Sequence, residues 1–140
     1  MTFGGRAGLV VMAIIGLLFS TGGAASQRAR DNAETVMITF HARSGAESDL
    51  ARAIARHWEV ARRLDLVRET PHVTLRGRED GHTFFVDVFT WRDADIPDNA
   101  PAEIHAIWAE MNKLVEARRG REGLEITEVS LLSGGQAPTR

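Results

Sequence analysis

Few residues in this chain are equipped for chemistry, and their types narrow the choice. Its 140 residues include five histidines, no cysteine and no tyrosine. Without a thiol, nucleophilic thiol catalysis, thiolate metal sites and iron–sulfur clusters are excluded. The histidines stand at 41, 57, 72, 82 and 105, and no HxH, HxxH or HxxxH pair occurs. A metal site built from neighbouring ligands on one strand or helix is therefore not expected. No serine has a nucleophile-elbow context and no glycine pattern forms a phosphate loop. What remains is acid–base chemistry by isolated groups. His41, His105 and Asp87 are the candidates, because imidazole titrates near ~6.5 and a carboxylate shut between aromatic rings is desolvated and titrates upward. Asp87 has such neighbours, Phe85 and Phe89 in HTFFVDVFTW. Its competing role is an ion pair with an arginine of the next strand or of a partner subunit. Trp91, Trp108 and Phe89 are candidate walls for an aromatic ligand, with plain core packing as the alternative. His57 falls at the edge of a helical apolar stripe and reads as a boundary residue. His72 and His82 flank a hairpin and read as solvated.

The elements that must position these groups follow from periodicity. Residues 34–43 (ETVMITFHAR) alternate as a strand, with Val36, Ile38 and Phe40 on one face and Met37, Thr39 and His41 on the other. Residues 46–66 carry Leu50, Ile54, Trp58, Ala61 and Leu64 at helical spacing. Pro71 introduces a second strand at 72–76, and GREDG at 77–81 reads as the hairpin leading into a third, 82–91. That third strand is apolar on both faces: Phe84, Val86 and Val88 on one, Phe85, Asp87, Phe89 and Trp91 on the other. Residues 92–101 (RDADIPDNAP) read as a loop, 101–118 as a second helix beginning at Pro101, and 124–132 as a fourth strand.

The order strand–helix–strand–strand–helix–strand predicts an α+β fold: a ferredoxin-like βαββαβ sandwich with a four-stranded antiparallel sheet and both helices on one face. The other face, carrying apolar side chains, needs a cover. The same face of a second copy supplies one, so a homodimer is expected.

Both ends of the chain lie outside this unit. Residues 1–25 have the form of a secretory signal peptide: Arg6 in the first segment, the apolar run AGLVVMAIIGLLF, then small residues ending in Ala24–Ala25. The run is shorter than the ~20 residues of a spanning helix, so a cleaved signal is preferred to an uncleaved anchor and no stable membrane span is expected after cleavage. The organisation is then signal 1–25, polar spacer 26–33, folded domain 34–132 and a loose tail 133–140, in a secreted or periplasmic protein. A net charge of −2 with His neutral does not favour nucleic acid as a partner.

The first strand MITFHAR, the third strand ending FTWRD and the element order resemble the antibiotic biosynthesis monooxygenase-like domains of the dimeric α+β barrel superfamily. The resemblance spans residues 34–132. It implies a dimer with a small hydrophobic pocket beside the sheet, with Trp91 and His105 near the positions of a recurring tryptophan and histidine. It implies cofactor-free oxidation of a small aromatic or quinol substrate, with no cofactor and no metal. Ala42 stands where the haem-degrading members carry Asn, which counts against haem as substrate. The alternative is a non-catalytic dimeric module binding a small apolar ligand or a protein in the cell envelope.

Overall fold

Alternation in the first strand sets the layers. In the computed structural model, which describes residues 32–132, β1 (Glu34–His41) buries Val36, Ile38 and Phe40 while Met37 and Thr39 are only half-buried. Residues 1–31, which contain the expected signal peptide and most of the expected spacer, and residues 133–140 lie outside the described residues.

Helix α1 (Glu47–Arg63) follows, then β2 (Val67–Glu79), β3 (His82–Trp91), a short 3-10 turn at Pro97–Asn99, helix α2 (Ala102–Leu114) and β4 (Leu124–Glu128). The four strands form one antiparallel sheet in the order β2-β3-β1-β4. This is the ferredoxin-like arrangement expected from the element order. In the β1–β3 register Val36 faces Phe89, Ile38 faces Asp87 and Phe40 faces Phe85. One face of the sheet therefore carries Phe85, Asp87, Phe89 and Trp91, all buried. Leu50, Ala53, Ile54 and Ala61 of α1, with Ile104, Ile107 and Met111 of α2, complete that core.

The opposite face has no helix over it. It presents Met37, Phe84, Val86 and Val88, half-buried, and on β2 the exposed Val73 and Leu75. Val73 pairs with Val88 and Leu75 with Val86, so these side chains form one continuous apolar area.

Several elements differ from the sequence expectation. β2 starts at Val67, five residues before the expected start, and has a register shift between Val67 and His72. Pro71 is tolerated there because β2 is an edge strand and the shift removes the need for its missing N–H. Gly77 is not part of the turn. It pairs with Phe84, and a Cβ at Gly77 would lie 2.2 Å from the ring, so the phenylalanine lies over the glycine. The turn itself is Asp80–Gly81, both at positive φ (51° and 80°), the two-residue geometry that favours Asp-Gly. Helix α2 ends a turn early because the chain leaves it to pair: Val115 bridges Ala42, and the Glu116 N–H donates to the His41 carbonyl at 3.0 Å.

Helix α1 also presents a different stripe. His57, expected at the boundary, is 3 % exposed, while Trp58 is only partly buried. Ala53 and Ala61 are small enough to bring the helix close to the sheet along Leu50–Ile54–His57–Ala61, and that rotation moves Trp58 to the rim.

Candidate functional site

Between the sheet and α2 lies a cavity of about 340 Å³, within the size range of small-molecule sites. Its floor is Val36, Ile38 and Phe40 of β1 with Leu124 and Ile126 of β4; Trp91, Trp108 and Met111 form walls. Trp91 and Trp108 meet edge to face, with centroids 6.3 Å apart. Each position has a local cause. Trp91 is the last residue of β3 and alternation turns it inward. Trp108 stands one turn after Ile104 on the helix face that carries Ile107 and Met111.

The one buried polar residue of this lining is His57, which sequence reasoning assigned to the boundary; Glu34, Asn112 and Glu128 line the cavity from less buried positions. Its ring contacts Phe89, Trp91 and Trp108. The Trp108 indole N–H donates to His57 Nε2 at 3.1 Å, which leaves the imidazole proton on Nδ1. Burial, and secondarily the charge of His72, push the His57 pKa down from 6.5 to about 4. At neutral pH His57 is thus an uncharged side chain whose lone pair is occupied by Trp108. Its helical period, matching Leu50, Ile54 and Ala61, was the signal for its inward position. The flanking Arg56 and Glu59 masked it.

The three acid–base candidates do not meet in this cavity. His41 is on the opposite sheet face, 4 % exposed, with Nε2 3.2 Å from Glu125. Arg121 donates twice to that same carboxylate, at 3.0 and 2.7 Å. His105 is exposed on the first turn of α2 and touches Trp108 edge-on, with centroids 5.1 Å apart. Asp87 is 1 % exposed but lies on the α1 side of the sheet, away from the cavity lining.

Asp87 has partners other than an arginine. The Thr74 hydroxyl donates to Oδ1 at 2.6 Å, and His72 Nε2 is 3.2 Å from the same oxygen. Desolvation pushes its pKa up, against the opposing pull of Thr74 and His72. His72, expected to be solvated, instead stacks on Trp58 at 3.7 Å with its ring nearly parallel to the indole. The rim position of Trp58 thus has a purpose: it covers the imidazole that shields the buried carboxylate. Among the ligand-wall candidates, Trp91 and Trp108 line the cavity, whereas Phe89 is fully buried behind Trp91, with centroids 4.9 Å apart. Among the described residues no group of histidines and carboxylates is arranged to hold a metal ion.

The sequence matches no known family and no curated protein. The fold, however, is shared with solved structures. SnoaB, a cofactor-independent oxygenase from Streptomyces nogalater, aligns over 77% of this chain and 99% of its own, at 17% identity and TM-score 0.54. Rv0793 from Mycobacterium tuberculosis aligns over 74% and 99%, at 15% identity and TM-score 0.53. A Bacteroides thetaiotaomicron protein described as a possible oxidoreductase aligns over 71% and 99%, at 12% identity and TM-score 0.52. At these identities the likeness is one of fold alone: a four-stranded antiparallel sheet in the order β2-β3-β1-β4 with two helices on one face.

Proposed function

We propose that this chain is an exported homodimeric member of that fold group whose Trp91–Trp108 cavity takes a small apolar or aromatic molecule and oxidises it with molecular oxygen without a cofactor. The observation that carries the reading is the cavity itself, aromatic-walled and placed beside the sheet. In such a reaction the electron-rich substrate supplies the electrons to oxygen. The protein contributes exclusion of water, orientation against the indoles and a hydrogen bond to a substrate oxygen. His57 serves the last role as a neutral Nδ1–H donor. It is a poor base at neutral pH because Trp108 occupies its lone pair.

Oxygen uptake with a panel of quinols tests this. Trp108→Ala removes one wall and the partner of His57; losing roughly 1.5–3 kcal/mol of buried contact predicts a fall in kcat/KM of about 10- to 100-fold. His105→Ala, outside the cavity, is expected to leave the rate within about twofold. Absence of uptake with every quinol, combined with tight binding of an apolar aromatic, would establish the second reading, a non-catalytic ligand-binding module. The occupied lone pair of His57 favours that alternative.

Homodimerisation is supported by the bare apolar face around Val73, Leu75, Val86 and Val88. Two such faces related by a two-fold axis would cover each other. Leu75→Arg is expected to convert a dimer into a monomer in light scattering at micromolar concentration, and a wild-type monomer there would refute the arrangement. Export rests on the N-terminal sequence pattern. Among the described residues no helix is long and apolar enough to cross a membrane. A secreted or periplasmic product that begins at residue 25 or 26 is the expected outcome of N-terminal sequencing.

A further inference from the structure

The cavity has a pronounced charge asymmetry. Its lining includes two carboxylates, Glu34 and Glu128, and no arginine or lysine. The absence of a cation is notable in a chain with 17 basic residues. The arginines of neighbouring elements have acidic partners elsewhere: Arg56 with Glu110, Arg63 with Glu103, Arg121 with Glu125. Neither Glu34 nor Glu128 takes part in an ion pair among the described residues.

The strand register fixes where these carboxylates stand. Glu34 is opposite Trp91, and Glu128 is opposite Val36. Both therefore lie on the helix face of the sheet as diagonal neighbours, with Cβ atoms about 7 Å apart. Phe40 and Leu124, which pair with each other, close the far end of the floor. The cavity thus has an acidic, indole-lined end and a mainly apolar end, where Asn112 is the remaining polar residue of the lining.

That combination has a specific chemical preference. An aromatic face attracts a cation through its quadrupole, and nearby carboxylates add direct Coulomb attraction. An anionic ligand would meet two like charges with no countercharge in the lining. We infer that the cavity selects an organic cation: an aryl or alkyl amine whose ammonium group sits among Glu34, Glu128 and the tryptophans and whose apolar body runs toward Phe40 and Leu124. This rests on the proposed reading of the cavity as a ligand site and narrows its ligand class.

Titration calorimetry with three ligands of one shape tests the inference: 1-naphthylmethylamine, 1-naphthylmethanol and 1-naphthylacetate. At low salt the amine is expected to bind at least about 10-fold more tightly than the alcohol, and the acetate more weakly than either; the amine's advantage should shrink as salt is added. In the Glu34→Gln/Glu128→Gln double variant, the amine should fall to the affinity of the alcohol, whose own affinity is unchanged. The retained alcohol binding and an unchanged thermal melt show that the variant is folded. An alcohol that binds wild type as tightly as the amine overturns the cation preference while leaving the aromatic cavity intact. An amine preference that survives in the double variant overturns the assignment to Glu34 and Glu128. No binding by any of the three overturns both this inference and the cavity reading beneath it.

Discussion

Acidification from pH 7 to below pH 4 is expected to remove about 3 kcal/mol of stability through His57 alone. In the fold this imidazole stays neutral down to about pH 4, whereas the unperturbed side chain gains its proton near 6.5. Between those values the unfolded chain binds the additional proton, so unfolding is favoured as pH falls. The contribution is complete above 6.5 and lost as pH drops through about 4, and a shift of this size corresponds to about 3 kcal/mol. Asp87 acts in the opposite sense. Its pKa is raised by burial, so its contribution is complete below 3.8 and lost as pH rises through its folded value. Urea unfolding at pH 7, 5.5 and 4 measures the sum. His57→Gln, which keeps an acceptor for Trp108 but cannot titrate, should flatten the acid limb. Asp87→Asn, which removes the opposing contribution, should make it steeper. An unchanged acid limb in His57→Gln would show that the imidazole is solvated.

Phe89→Ala is expected to cost roughly 3–5 kcal/mol, a large part of the 5–15 kcal/mol available to a typical domain. The ring is fully buried and is the common neighbour of His57, Trp58 and Trp91, so its loss leaves a void between the sheet and α1. For a domain of about this size the melting temperature should fall by roughly 12–40 °C. Phe89→Leu fills most of that void and should cost only about 1 kcal/mol. Because Phe89 does not line the cavity, Phe89→Leu should bind an aromatic ligand like the wild type. A melting temperature within a few degrees of wild type for Phe89→Ala would mean that the core can collapse around the missing ring. Selective loss of ligand binding in the folded Phe89→Leu variant would instead return Phe89 to the binding site.

Much of the fold was legible in the sequence, and the reason is periodicity. Alternation in ETVMITFH and HTFFVDVFTW assigned faces correctly, because in a strand the direction of a side chain depends only on its parity. Strand lengths were less legible. β2 extends to Val67 because β3 offers a partner along its length, and that long-range pairing outweighs the proline at 71. Helix α2 stops at Leu114 because Ala42 and His41 capture the following residues, an event that local helix propensity does not report.

The site was less legible than the fold. Trp91 and Trp108 line a common cavity; their core period pointed equally to plain packing, and local pattern alone did not separate the two. The polar residue between these indoles is His57, which helical periodicity placed at an edge. A rotation of α1 by a fraction of a turn, permitted by Ala53 and Ala61, exchanged it with Trp58. His41, His105 and Asp87 were chosen for chemical type and are now separated by the sheet, by exposure and by α1 respectively.

The sequence by itself determined the element order, the division of β1 and β3 into their two faces, and the absence of thiol chemistry, because each follows from residue identity or local alternation. Only the tertiary structure decided which face of β3 meets the helices, which acid–base groups share a space, that Asp87 is held by Thr74 and His72 instead of an arginine, and that two glutamates with no ion pair among the described residues line an indole-walled cavity. Those outcomes depend on helix rotation and strand register. A shift of one residue in either would redistribute every neighbour, and no local pattern in the chain encodes it.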